Sequence, residues 1–65
     1  NSYSMLHLDL TEEERQILAD LLDEDIGALR MEIADTDRAE YRDMLKHREA
    51  VLKKLLAALR AAADA

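Results

Sequence analysis

The segment ADTDRAE, residues 34 to 40, is the only polar cluster with turn-forming residues in the interior of the chain. Short side-chain oxygens of Asp and Thr favour turns because they hydrogen-bond to nearby backbone amides. Asp37 is followed three residues later by Glu40, which is the spacing of a helix capping box. The segment therefore predicts a turn at residues 35–37 and a second helix over about residues 38–62.

Upstream of this turn, a first helix is predicted over about residues 12–35. Thr11 and Glu14 have capping-box spacing, and the acidic residues that follow Thr11 suit the positive end of a helix dipole. Apolar residues recur at helical spacing as far as Ala34, and the chain has no proline. Gly27, the only glycine, is expected to lower the stability of this helix without ending it.

A connection this short makes two helices antiparallel neighbours. The predicted fold is therefore all-α, an antiparallel two-helix hairpin over residues 11–65, expected to dimerise into a four-helix bundle. Residues 1–10 form an N-terminal arm. Residues 1–4 are either native or an added remnant, and residues 5–10 alternate leucine with polar residues, as a short extended segment or a frayed tail does.

The apolar faces of the two helices predict how they pair. Each helix is predicted to carry a stripe of apolar residues along one face. A charged residue lies at the centre of each stripe, Asp25 on helix 1 and Arg48 on helix 2. Folding the chain about the turn sets these two residues opposite each other and sets Glu32 opposite Tyr41. The helix 1 stripe is Leu18, Leu22, Ile26, Leu29 and Ile33, and the helix 2 stripe is Tyr41, Met44, Leu45, Val51, Leu52, Leu55, Leu56 and Leu59.

These facing polar residues predict a largely buried ion pair between Asp25 and Arg48, with Glu32 accepting a hydrogen bond from Tyr41 or sharing an arginine. Such a pair either forms a polar site for a ligand or fixes the register of the helices. The second interpretation is favoured, because setting register is the best-attested role of polar groups in coiled-coil cores.

Both apolar stripes are wider than the seam of a two-stranded coiled coil, so a lone hairpin leaves one flank of each helix in water. This predicts a homodimer or a higher oligomer. The predicted interface residues are Leu21, Leu22, Ala28, Met44, Val51 and Leu55.

Composition argues against several classes of function. The chain has no cysteine and no long apolar run, and its N-terminus lacks the pattern of a secretory signal, so a cytoplasmic protein with no membrane span is expected. His7 and His47 are the only histidines, and neither belongs to a Glu-x-x-His motif. Neither catalytic residues nor metal or cofactor ligands are predicted.

Charge is divided unevenly along the chain. Residues 1–36 carry ten acidic and two basic side chains, net −8, whereas residues 37–65 carry five acidic and seven basic ones, net +2. Nucleic-acid binding through a basic stripe on helix 2 is therefore the alternative function, although the total charge is −6. That stripe would consist of Arg38, Arg42, Lys46, Lys53 and Arg60.

The sequence around the turn also resembles a pattern found in short uncharacterised bacterial proteins. The shared pattern is Leu29-Arg30-x-Glu32-Ile33-x-x-Thr36-Asp37-x-x-x-Tyr41-Arg42-x-x-Leu45-Lys46-x-Arg48-Glu49. The architecture further resembles Rop-type hairpins, which dimerise into four-helix bundles and bind RNA; this likeness is one of fold and carries over no residue. The leading prediction is a homo-oligomeric interaction or scaffolding module that also docks an unknown protein partner.

Overall fold

Two packed α-helices make up most of the chain in the computed structural model, which describes residues 6 to 63. Helix α1 spans Glu12–Asp35 and helix α2 spans Ala39–Ala63. They run antiparallel against each other, and the described residues contain no strand. The predicted all-α hairpin is confirmed. Residues 1–4 and Met5, which belong to the predicted arm, lie outside the described residues.

A capping box starts α1. The Thr11 side chain accepts a hydrogen bond from the Glu14 amide at 3.1 Å, and the Glu14 carboxylate accepts one from the Thr11 amide at 2.9 Å. These two bonds satisfy backbone groups that have no partner within the helix. The predicted start of the first helix is confirmed. Residues 6–10 precede it without regular secondary structure.

The turn is built around Thr36. Its amide donates to the Glu32 carbonyl at 3.0 Å, which closes α1, and its hydroxyl accepts from the Arg38 amide at 3.3 Å. The Arg42 guanidinium donates to the Thr36 carbonyl. The first helical bond of α2 runs from the Arg42 amide to the Arg38 carbonyl, so α2 begins at Ala39, one residue later than a capping box at Asp37 predicts.

The hairpin core is a narrow seam between the two helices. Its positions alternate in steps of three and four residues along each helix, as in a coiled coil. The buried apolar residues are Ala19, Ile26, Leu29, Leu45 and Leu56. The half-buried residues that pack against this core are Leu22, Leu52 and Leu59. No described side chain falls below 2 % exposure, so the core is shallow.

Neither described helix combines the length and the apolar character that crossing a membrane would require.

Candidate interaction surface

One broad side of the hairpin, which we name the open face, carries exposed apolar residues along both helices. Leu21 and Met44 are 57 % and 58 % exposed, and Leu55 is 48 % exposed. The open-face residues of α1 are Leu18, Leu21, Asp25, Ala28 and Glu32, and those of α2 are Tyr41, Met44, Arg48, Val51, Leu55 and Ala58.

Helix geometry explains why each helix carries a row of open-face positions next to its buried seam. Each residue turns the helix by about 100°, so the open-face positions lie about a quarter turn from the buried seam of the same helix. Both rows alternate in steps of three and four residues. Contacts between Asp25 and Arg48 and between Glu32 and Tyr41 join the two helices across this side, so the open face is continuous. Each helix therefore has two coiled-coil seams, and the hairpin uses one of them.

The central charged pair of the open face has the predicted partners but not the predicted burial. Arg48 Nε lies 3.8 Å from Asp25 Oδ2, which confirms the register. Their side chains are 65 % and 46 % exposed, so the prediction of a buried pair is wrong for the single hairpin. The physical reason is the rotation of α2, which places Leu45 and Leu52 toward α1 and leaves Arg48 outside the seam.

Near the turn, the open face contains a polar contact between the helices. The Tyr41 hydroxyl donates a hydrogen bond to Glu32 Oε2 at 2.9 Å, as predicted. This hydrogen bond and the negative charge of Glu32 raise the pKa of Tyr41 above its ordinary value of 10.0. Tyr41 is 38 % exposed, so this contact also lies at the surface of the single hairpin.

At the opposite end of the hairpin, the arm and the helix ends enclose an apolar cleft of about 380 Å³. Leu6 and Leu8 of the arm are 81 % and 62 % exposed although they line this cleft. The cleft continues the apolar surface of the open face. We call it the leucine cleft. The residues that line it are Leu6, Leu8, Leu10, Leu18, Leu22, Leu55, Ala58 and Leu59.

The residues predicted for a subunit interface fall mainly on the open face. Leu21, Met44, Val51 and Leu55 are exposed there, and Ala28 lies in the same row. Leu22 is the exception, because it is half-buried and packs against the hairpin core.

The seam itself contains a charged residue that sequence reasoning did not assign to it. Glu49 is only 17 % exposed at its side chain, and its Oε2 lies 3.1 Å from Arg30 Nε and 3.8 Å from Lys53 Nζ. Its position between Leu45 and Leu52, in steps of four and three residues, is the signal that could have identified it. Glu49 and its two cations lie on the side of the seam away from the open face.

Arg15 is a second polar side chain that enters the seam. Its side chain is 12 % exposed, and its guanidinium donates to the Leu59 carbonyl at 3.3 Å and binds the Glu12 carboxylate. The hydrogen bond from Arg15 lowers the pKa of Glu12. Arg15 thereby ties the start of α1 to the end of α2.

The five cations of the predicted nucleic-acid stripe differ in their surroundings. Arg42 is half-buried and binds the Thr36 carbonyl, and Lys53 lies near Glu49. Arg38, Lys46 and Arg60 are exposed. Because two of the five contribute to contacts within the chain, and Glu49 lies among them, the stripe offers less free positive charge than its sequence indicates.

Within residues 6–63, no cluster of three or more His, Cys, Asp or Glu side chains has the arrangement of a metal site. Comparison with protein families, with curated proteins and with solved structures finds no significant match for this chain.

Proposed function

We propose that this protein is a small interaction module that self-associates through the open face, with a two-fold dimer of four helices as the basic assembly. The observation that carries this proposal is the second row of coiled-coil positions on both helices, which is largely exposed and largely apolar. Scattered exposed apolar residues are ordinary, but a continuous patch bordered by polar residues is typical of a binding surface.

The size of the open face supports a second copy as its occupant. A helix of 24 residues is roughly 36 Å long, and two adjacent helices are roughly 20 Å wide. The face therefore offers roughly 700 Å², which is close to the roughly 800 Å² that each partner buries in a standard interface. A two-fold dimer is the commonest closed assembly that covers such a face on both copies.

The shallow core of the single hairpin gives the same proposal an energetic reason. Among the residues that the structure describes, only five apolar side chains are buried, which is little apolar burial for a chain of this length. Domains of this size usually need a disulfide, a metal or a partner, and a second copy supplies the additional apolar burial.

The side opposite the open face would remain exposed in such a dimer. It carries the polar contact of Arg30, Glu49 and Lys53 together with exposed charges of both helices. We assign docking of another macromolecule to this charged side, which makes the dimer a scaffold for partners.

Sedimentation velocity tests the proposal with a pair of matched variants. Val51→Glu places a charge in the open face, whereas Ala50→Glu makes the same change of net charge at an exposed neighbour outside it. We expect the wild-type chain and Ala50→Glu to sediment as dimers at about 50 µM, and Val51→Glu to dissociate at least 100-fold more readily, because a buried unpaired charge costs several kcal/mol.

Circular dichroism of the same samples shows whether each variant keeps its helices. A folded wild-type monomer at that concentration would contradict the proposal. Equal dissociation of the Ala50→Glu and Val51→Glu variants would contradict the assignment of the interface to the open face.

A further inference from the structure

We infer that the two copies pair with their turns at the same end of the dimer, so that α1 of each copy packs against α2 of the other. This inference rests on the proposed self-association and adds the direction in which the copies meet. Two face-to-face arrangements are possible. In the first arrangement the two-fold axis runs parallel to the helices, and the two turns lie at the same end. In the second arrangement the axis crosses the helices, and each turn lies at the leucine-cleft end of the other copy.

The central charges of the open face distinguish these arrangements. With the turns together, Asp25 faces Arg48 of the second copy and also keeps its own Arg48 beside it at 3.8 Å. The four side chains then form a ring of alternating sign. With the turns apart, Asp25 faces Asp25 of the second copy and Arg48 faces Arg48. Like charges that meet in an interface oppose binding strongly, so the first arrangement is favoured.

The ends of the open face give the same answer independently. The leucine cleft makes one end apolar, and Leu6 and Leu8, which line it, remain largely exposed. The turn end carries the hydrogen-bonded pair of Tyr41 and Glu32. With the turns together, the two leucine clefts meet and bury each other's leucines. With the turns apart, each cleft would cover the carboxylate of the other copy, which costs desolvation without supplying a partner.

A single engineered cysteine reports the arrangement directly, because the chain has none of its own. Asp37→Cys in the exposed turn is labelled with a nitroxide, and the distance between labels in the full-length dimer is measured by pulsed electron paramagnetic resonance. We expect a distance below about 25 Å. Turns at opposite ends would lie more than about 35 Å apart, since a helix of 24 residues rises 1.5 Å per residue.

Each outcome decides a different point. A short distance supports turns at the same end. A long distance overturns this inference and leaves self-association intact. The absence of any distance between chains, with sedimentation showing a monomer, overturns the proposed function together with the inference.

A charge exchange provides a second test that needs no label. The double variant Asp25→Arg with Arg48→Asp keeps opposite charges facing each other in its own dimer when the turns are together. Mixed with the wild-type chain in that arrangement, it would place arginine against arginine and aspartate against aspartate. We expect native mass spectrometry, with the wild-type chain labelled with nitrogen-15, to find fewer mixed dimers than the statistical share of about half.

With the turns at opposite ends, the same mixture would place arginine against aspartate at both positions. An excess of mixed dimers over the statistical share would therefore overturn the inference.

Discussion

Asp25 and Glu49 are carboxylates at coiled-coil positions, but they belong to different seams. Glu49 lies in the hairpin seam with Arg30 and Lys53 near it, whereas Asp25 lies on the open face beside Arg48. Each carboxylate has a cation on the other helix, so each contributes to the relative placement of α1 and α2. Glu49 joins the two helices of the hairpin through Arg30, and in the proposed dimer Asp25 would select the orientation of the second copy.

Tyr41 gives a prediction for high pH. Its hydrogen bond to Glu32 requires the neutral phenol, so the pKa of Tyr41 is raised in the folded chain. The stabilisation from this contact is fully present below the ordinary pKa of 10.0 and is lost as the pH rises through the raised pKa. In a Tyr3→Phe background, where Tyr41 is the only tyrosine, ultraviolet absorbance of the phenolate measures this pKa.

The matched variant for that titration is Glu32→Gln, which removes the carboxylate charge and keeps a side-chain oxygen as acceptor. We expect Glu32→Gln to lower the pKa of Tyr41 toward its ordinary value. An unchanged pKa would mean that the contact between Tyr41 and Glu32 is not formed in solution.

At the scale of the element, Gly27 is the residue with the lowest helix propensity in the continuous helix α1. A Cβ atom added there would meet no other atom within 4 Å, and Gly27 is exposed. Gly27→Ala should therefore raise the free energy of unfolding by about 0.5–1 kcal/mol, because alanine loses less conformational entropy in a helix. Urea unfolding followed by circular dichroism measures the change.

The reverse substitution at an exposed position of α2 serves as the comparison for Gly27→Ala. Ala50→Gly should lower the free energy of unfolding by a similar amount. If Gly27→Ala instead destabilised the protein, the outer side of α1 at Gly27 would be in close contact with another surface.

The elements themselves were predictable from local signals. The capping box at Thr11 and the turn at Thr36 depend on neighbouring residues, and their hydrogen bonds form within a few positions. The antiparallel register followed from the length of the turn, which is why Asp25 and Arg48 were matched correctly.

The rotation of α2 about its own axis could not be predicted in the same way. Its apolar residues form two adjacent rows, one through Leu45 and Leu52 and another through Val51 and Leu55. Both rows have coiled-coil spacing, so hydrophobic periodicity alone does not decide which one faces α1. Packing of whole side chains across the seam decides it, and this places Glu49 inside and Arg48 outside.

At the scale of the whole molecule, the exposed apolar side chains of the described residues are concentrated on one side of the hairpin. Most of the large apolar side chains that are exposed lie on the open face or in the leucine cleft, whereas Ile17 and Met31 are exposed outside both. In the proposed dimer, folding and self-association would be coupled, because a second copy would bury the open face.

The dependence of the melting temperature on protein concentration tests this central claim most directly. If the folded state is a dimer, a 100-fold rise in concentration stabilises it by about 2.7 kcal/mol, which for two chains of this length raises Tm by about 10 °C. We predict this rise for the wild-type chain and a much smaller one for Val51→Glu. A wild-type Tm that stays the same across that range would contradict the account.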